Sequence, residues 1–364
     1  MNKKEVSYAL FKRPGNGDVH LFFQENNLPE KIRTLRELNN KSGFVIAPFI
    51  NSIETPILLL HPEHQLCGAE KIISFLNTKR ESSIQDFSHT PSLPYLPEEN
   101  VFLHYSKAFQ SVKDLLTAGK LEKIVLARTS SMKNETDLDA VRLFFNACES
   151  YPDEYVVLFH TPFTGSWLSA TPELLLEHTG GIAHTVAIAG TITEKEQELS
   201  GQWNNKNIKE QQIVADFIRS RLHPYHITST VYEPIRVHSG RLSHLKTNFY
   251  FKMESPKFHE QVGDILDSLH PTPAVCGVPQ EMSMGLIQKL EYLPRLYYSG
   301  FTGLLDLDKQ THFYMTLRCM KMDQDHLTLY AGGGILPMSQ LEKEWEETEE
   351  KLKIMKSLFY CRIK

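Results

Sequence analysis

Several features that would place a chain in a special class are missing from this 364-residue sequence. Its five cysteines form no CxxC pair, and their odd number and wide spacing argue against a disulfide framework or a zinc site. No apolar run reaches the roughly 18 residues of a membrane helix, and no apolar segment follows the basic N-terminus as in a secretory signal. A net charge of −5 gives no electrostatic reason to expect nucleic acid or an anionic membrane as a partner. We therefore expect a cytoplasmic protein that binds neither.

What is present is the composition of an ordinary globular protein, with 41% hydrophobic and 23% charged residues. Helical and strand patterns occur in clusters rather than in strict alternation, which predicts an α/β (α+β) fold with large mixed or antiparallel sheets. The predicted helices cover 101–119, 137–150, 204–222, 258–269, 282–290 and the C-terminal segment. The predicted strands cover 43–49, 56–60, 121–129, 154–160, 165–170, 174–178, 182–187, 297–306, 312–322 and 327–330. We expect an N-terminal part at 1–78, a linker or mobile loop at 79–100, and the main part at 101–364.

The stretch from Tyr330 to Lys351, YAGGGILPMSQLEKEWEETEEK, combines glycines with a carboxylate-rich helix. Gly332 and the two glycines after it predict a turn whose backbone can approach a ligand closely. In the helix, Glu344, Glu347 and Lys351 share one face at the rim of an apolar stripe. This face could hold a cation and an anionic substrate together. The alternative is a solvated acidic helix with an ordinary i, i+4 pair.

Lys123 and Glu173 are polar residues placed in apolar strand patterns. Lys123, in LEKIVLAR, has apolar neighbours on both strand faces. A desolvated lysine has a lowered pKa and can act as a general base; the alternative is a strand-end lysine that reaches solvent. Glu173, in SATPELLLEH, would have a raised pKa if buried and could act as a general acid. Its alternative is an exposed position at a strand end.

Three more polar positions need a partner. Glu210 falls on the apolar stripe of the 204–222 helix, where a carboxylate is costly unless it is paired or bound to metal, and Lys206 is one turn away. Arg318 lies in a segment that is apolar on both faces and needs a carboxylate, either from the protein or from a substrate. The prolines of LHPTPAVCGVP fix His270 near a helix end, and a simply packed loop is the alternative there.

Taken together, these segments resemble the chorismate-utilising enzymes. The motifs occur in the family's order: KIVLAR, ATPELLL, IAGT, the K-x3-E helix, LHPTPAVCG, E-x3-R-x2-Y-S-G, LRC, AGGGI and E-W-x-E-T-x2-K. They cover about 101–358, and residues 1–78 resemble the more variable N-terminal part of isochorismate synthases. The resemblance implies a single large chorismate-binding domain, in which two packed β-sheets are surrounded by helices and the site lies in a deep cleft.

The resemblance also implies a nucleophile. Water-adding members carry a lysine at the position of Lys123, whereas Ala189 stands where aminodeoxychorismate synthases carry a nucleophilic lysine. The implied activity is Mg²⁺-dependent isochorismate synthesis, with water adding to chorismate at C2 and the C4 hydroxyl leaving. Salicylate synthesis with pyruvate elimination, an ammonia-using component like that of anthranilate synthase, and a chorismate-binding module without turnover stay open. The product would serve menaquinone or siderophore synthesis, and no obligatory protein partner is expected.

By resemblance, Lys123 is the base and Glu173 the acid. The residues expected to bind substrate are Gly190, Thr191, His270, Tyr298, Arg318, Gly332 and Lys351. The Mg²⁺ ligands are expected to be Glu210 and Glu347, with Glu344 as a further ligand or as an acid behind them.

Overall fold

Two antiparallel β-sheets form the frame of the protein. The structure is a computed structural model that describes residues 5–15, 17–79, 93–95, 97–134, 138–193, 203–225, 230–239, 242–306 and 310–360. Most of the predicted linker at 79–100 lies outside the described residues, and a helix begins within it at Glu98. The large antiparallel sheets confirm the α/β (α+β) prediction.

The first sheet has nine strands. Their spatial order is β15 (Gly277–Val278), β7 (Lys123–Lys133), β19 (His326–Ile335), β18 (Cys319–Met322), β9 (Gly165–Thr171), β8 (Tyr155–Thr161), β1 (Ser7–Lys12), β2 (Val19–Gln24) and β6 (His64–Cys67). Strands from the N-terminal part and from the main part of the chain therefore share one sheet.

The second sheet has ten strands, nine of them in its main path. Their order is β12 (Thr230–Val231), β14 (Leu242–Lys252), β11 (Ile182–Thr193), β10 (Leu174–Thr179), β17 (Gln310–Met315), β16 (Phe301–Leu305), β4 (Gly43–Ala47), β5 (Ile57–Leu60) and β3 (Glu30–Ile32), with β13 (Ile235–Ser239) also paired to β14. Here too the N-terminal strands β3 to β5 continue a sheet that the main part begins.

Helices cover the outer faces of both sheets. In the described part of the chain they are α1 (Ala69–Thr78), α2 (Glu98–Thr117), α3 (Ala140–Ser150), α4 (Asn205–Leu222), α5 (Ser255–Leu269), α6 (Gln280–Leu290) and α7 (Leu341–Ser357). One apolar cluster packs α4 and α5 on the second sheet, another packs α1, α3 and α7 on the first, and α2 and α6 cover β7. A further cluster, rich in aromatic residues, fills the space between the sheets. None of the described helices is long and apolar enough to cross a bilayer.

The chain passes from one sheet to the other at two adjacent places. Between β9 and β10 it crosses at Pro172 and Glu173, and between β17 and β18 it crosses at Thr316 to Arg318. The crossings are tied together, because the N–H of Met315 donates to the carbonyl of Glu173 at 2.9 Å. The single strand predicted for 312–322 is therefore wrong: two strands in different sheets meet at Arg318, whose φ is +46°.

The predicted glycine turn is also wrong. Gly332, Gly333 and Gly334 belong to β19, pair with β7, and none has a positive φ. Their lack of a side chain serves close packing instead. A Cβ at Gly332 would lie 2.8 Å from the hydroxyl of Tyr298, and one at Gly334 would overlap the carboxylate of Glu210. The strand predicted at 327–330 thus extends to Ile335.

Candidate active site

A cleft with about 710 Å³ of empty space, part of it open to solvent, lies beside the two crossings. Strand β18 pairs with β19 only as far as Tyr330, so one edge of β19 is left facing the cavity from Ala331 onward. The predicted residues that line it are Glu173, Gly190, Thr191, Glu210, Tyr298, Arg318, Gly332 and Lys351.

Lys123 lies beneath this cavity at the start of β7 and has no exposure to solvent. Its Nζ is 3.1 Å from Oε1 of Glu210, which is an ion-pair distance without hydrogen-bond geometry, and the ammonium has no hydrogen-bond partner among the described residues. The pair depends on Gly334, because a Cβ there would overlap the Glu210 carboxylate and come within 2.9 Å of Cε of Lys123. A glycine on β19 therefore makes room for the lysine of β7 and the glutamate of α4.

Glu173 is 8% exposed and sits at the crossing from β9 to β10. Burial raises its pKa to about 7, against the opposing pull of Lys123, Lys351 and Arg318. A substantial fraction of the side chain is thus protonated near neutral pH. A carboxyl group in this state can give a proton to a leaving group.

Arg318 is held from two sides. Its Nη1 donates to Oε1 of Glu154 at 3.1 Å, and its Nη2 donates to Nε2 of His244 at 2.9 Å. Because a guanidinium can only donate, His244 accepts through Nε2 and carries its proton on Nδ1, 3.2 Å from Oγ1 of Thr191. Burial, with Arg318 and Lys351 nearby, lowers the pKa of His244 well below its ordinary value. His244 is therefore neutral and orients Arg318 toward the cavity.

A network of ammonium and carboxylate groups joins α4 to α7. Nζ of Lys206 lies 2.8 Å from Glu344, 3.9 Å from Glu347 and 4.0 Å from Glu210. Nζ of Lys351 lies 2.7 Å from Glu347 and also donates to the carbonyl of Gly332 at 2.7 Å. With the Lys123–Glu210 pair, three ammonium groups face three carboxylates, so the network is formally neutral.

Comparison with known proteins assigns the family. The family model described as "Chorismate binding enzyme" matches residues 58–359. The chain belongs to the chorismate binding enzymes. The isochorismate synthase EntC of Escherichia coli strain K12 is 27% identical over 304 residues, which is 79% of this chain and 75% of that protein.

Two solved structures share the fold of this chorismate binding enzyme. DhbC from Bacillus anthracis superposes with a TM-score of 0.80 at 23% identity, covering 98% of this chain and 97% of that one. MenF of Escherichia coli, a menaquinone-specific isochorismate synthase, gives a TM-score of 0.75 at 21% identity, covering 98% and 89%. The predicted single large domain of two packed sheets is the fold that these proteins have.

The enzyme's β7 and α7 are fixed to each other by Arg128, the last residue of the KIVLAR motif. Its guanidinium stacks 3.7 Å from the ring centre of Trp345, donates through Nε to Thr348 at 2.7 Å, and pairs with Glu349. An adjacent face of α7 carries Glu344, Glu347 and Lys351. The strand that carries Lys123 and the helix that carries these groups are thus positioned as one unit.

His270 is the predicted substrate residue that the structure does not bring to this cavity. It is partly buried at the end of α5, its Nε2 is 3.1 Å from the carbonyl of Pro48, and its ring packs edge-on against Phe301. Burial lowers its pKa to about 4. These contacts fit the packed-loop alternative.

His244 and Glu154 were not predicted from the sequence, and Lys206 was considered only as a pairing partner of Glu210. A signal for His244 was available, since apolar Leu245, Phe249 and Phe251 alternate with polar residues along β14. The predicted elements left 223–257 unassigned. Glu154 gave no such signal, because only the fold brings it to Arg318.

The donor chemistry around Lys206 suits a hard divalent cation. Carboxylate oxygens of Glu210, Glu344 and Glu347 already surround one positive charge, and Mg²⁺ prefers such oxygens together with waters and a substrate carboxylate. Burial, with Glu347 nearby, raises the pKa of Glu344, whereas Lys351 and Lys206 overcome the effect of burial and lower that of Glu347. Within the described ranges, no three His, Cys, Asp or Glu side chains are gathered closely enough to form a ready metal cage. The ammonium of Lys206 lies among these carboxylates.

Proposed function

We propose that this chorismate binding enzyme is an isochorismate synthase that adds water at C2 of chorismate while the C4 hydroxyl leaves. The observation that carries the proposal is that a buried lysine and a buried glutamate meet at one cavity: Glu173 lines it, and Lys123 lies beneath it, close enough to act on the pKa of Glu173. Water is a poor nucleophile and hydroxide a poor leaving group, so the reaction needs a base and an acid at once. The similarity to EntC of Escherichia coli supports the same activity.

Lys123 is proposed as the base. Its Nζ is excluded from solvent, and its ion-pair partner among the described residues is Glu210, with which it lacks hydrogen-bond geometry. A water entering the cavity could hydrogen-bond to Nζ. To take a proton from this water, the Lys123 ammonium first has to give up its own proton, and the Glu210 carboxylate 3.1 Å away would be the acceptor within reach. Glu210 then fixes the direction of the lysine side chain.

Glu173 is proposed as the acid. Its carboxyl is protonated to a substantial extent near pH 7 because burial outweighs the nearby cations. It can therefore give a proton to the departing C4 hydroxyl. The base and the acid are thus two different side chains, each positioned by its own strand: Lys123 by β7 and Glu173 by the entry to β10.

The substrate is a dicarboxylate, and the cavity has cationic groups for it. Arg318, oriented by Glu154 and His244, would hold the enolpyruvyl carboxylate, with Tyr298 beside it. Mg²⁺, when bound by Glu210 and Glu347 with Glu344 close by, would neutralise the ring carboxylate. Gly190 shapes the wall, because its φ is +72° and a Cβ would lie 2.7 Å from the carbonyl of Asn207.

A product assay separates this function from its rivals. The purified protein is incubated with chorismate, with and without Mg²⁺, and the products are resolved by chromatography while pyruvate is measured enzymatically. We expect isochorismate alone, formed only with Mg²⁺. Salicylate with pyruvate would indicate a salicylate synthase, anthranilate formed with ammonia would indicate an ammonia-using component, and binding without turnover would indicate a non-catalytic module.

A further inference from the structure

We propose that Lys206 is a built-in counter-cation, which occupies the divalent cation's place in the ligand-free enzyme and has to withdraw when the metal binds. The proposal rests on the metal site of the proposed function and assigns to it a residue that limits metal affinity. Its basis is the position of one ammonium within 4.0 Å of three carboxylates from two helices.

The contacts of Lys206 are those of a cation that is held by the site. Both oxygens of Glu344 contact its Nζ, at 2.8 Å and 3.0 Å, while Glu347 and Glu210 lie farther away. Buried carboxylates need a counter-charge, and removing it leaves them uncompensated. In the ligand-free enzyme Lys206 supplies the charge that these carboxylates require.

The position of Lys206 on its helix does not favour a cation otherwise. It is in the first turn of α4, which starts at Asn205, and the N-terminal end of a helix carries partial positive charge. An ammonium there is mildly repelled by the helix itself. The carboxylates of α7 therefore hold Lys206 in place. When they bind another cation instead, few other favourable contacts hold the ammonium at this position.

The ammonium of Lys206 can also move to solvent. Its side chain is 15% exposed. That of Lys123 is fully buried, and that of Lys351, although 20% exposed, is held by its hydrogen bond to the carbonyl of Gly332. A lysine of this kind can move its charge to water while its aliphatic part stays packed. Of the three ammonium groups, Lys206 is the one that can leave without disturbing β7 or β19.

Charge balance explains why such a residue would matter. The network is formally neutral as it stands. A divalent cation that displaces the Lys206 ammonium leaves the network with a net charge of +1, and the ring carboxylate of the substrate would bring it back to zero. Moving the Lys206 ammonium away from its carboxylates also costs free energy, and binding of the metal without substrate offsets this cost poorly. We therefore expect weak Mg²⁺ binding without substrate and tight binding with it, and by linkage the same factor applies to the substrate.

The test is Mg²⁺ binding to the substrate-free protein, measured by titration calorimetry, for wild type, Lys206→Met and Lys206→Arg. Lys209→Met is the matched control, since Lys209 is exposed on the same helix. We expect Lys206→Met to bind Mg²⁺ at least tenfold more tightly than wild type, whereas Lys206→Arg and Lys209→Met do not. Equal or weaker binding by Lys206→Met would overturn the proposal.

Thermal unfolding gives a second readout that does not depend on activity. In EDTA, Lys206→Met should unfold at a lower temperature than wild type, and Mg²⁺ should raise its midpoint by more than it raises the wild-type midpoint. An equal or smaller rise would contradict the role of Lys206. If the wild type also makes product in metal-free buffer, the metal site itself fails; Mg²⁺-dependent wild-type activity with equal affinities would refute the role of Lys206 alone.

Discussion

Glu173→Gln tests whether the acid of the site is held in its protonated form by burial. The pKa of Glu173 is raised from its ordinary 4.5 to about 7, so the folded state holds a proton that the unfolded state has lost between these values. The wild type therefore loses stability as the pH rises through this window. At about 1.4 kcal/mol for each pH unit, the full loss above pH 7 is about 3 kcal/mol. The glutamine side chain does not titrate, so the variant does not lose this stability as the pH rises.

The assay is chemical unfolding followed by circular dichroism from pH 4 to pH 8.5, for wild type and Glu173→Gln. We expect the free energy of unfolding of the variant, relative to wild type, to rise by about 3 kcal/mol across this range. Glu342→Gln is the matched control, because its exposed carboxylate is solvated by water whether or not the chain is folded. A difference between Glu173→Gln and wild type that does not change with pH would refute the reasoning.

The same variant should lose activity while it gains stability at high pH. Glutamine keeps the shape of the side chain but cannot give a proton to the departing hydroxyl, so product formation should fall at least about 100-fold, the lower end of what a positioned acid contributes. Wild-type activity should also decline as the pH rises through about 7. A stable and fully active Glu173→Gln enzyme would remove Glu173 from the mechanism.

Three substitutions test the rest of the site. Lys123→Ala should abolish product formation yet leave chorismate binding measurable by calorimetry; unchanged turnover would defeat the assignment of the base. Gly334→Ala should lower turnover at least tenfold and also lower the melting temperature, because the new Cβ displaces the end of Glu210 and leaves the buried Lys123 ammonium without its ion-pair partner; normal turnover would show that this pair is dispensable. Glu347→Gln should lose Mg²⁺-dependent activity; full wild-type activity in EDTA would contradict the metal assignment.

The sequence was informative where polarity conflicted with an apolar pattern. Glu173 and Arg318 each interrupted a strand pattern, and both line the cavity. The reason for the interruption was not readable, because it lies in the crossing of the chain from one sheet to the other. A single strand over 312–322 satisfies local propensity, and only the pairing of β17 with β10 and of β18 with β9 shows that the chain must bend at Arg318.

The run Gly332 to Gly334 is a case in which the local sequence pattern gave the wrong prediction. Three consecutive glycines favour a turn in local terms, since glycine weakens a strand. In the fold, β19 is paired along its whole length with β7, and the missing side chains make room for Tyr298 and Glu210. Tertiary packing therefore overrides local preference at Gly334. Likewise the alternative to metal binding by Glu210 was a pair with Lys206 on its own helix. Nζ of Lys206 does lie 4.0 Å from Glu210, but its nearest carboxylate is Glu344 on α7, which no spacing rule within one helix could reveal.

The most direct test of the proposed chemistry is incubation with chorismate and Mg²⁺ in H₂¹⁸O, with the isolated product analysed by mass spectrometry. If a water activated by Lys123 adds at C2 as the C4 hydroxyl departs, isochorismate gains one ¹⁸O at C2 and the oxygen originally on C4 is lost. Product that carries no label would contradict the account.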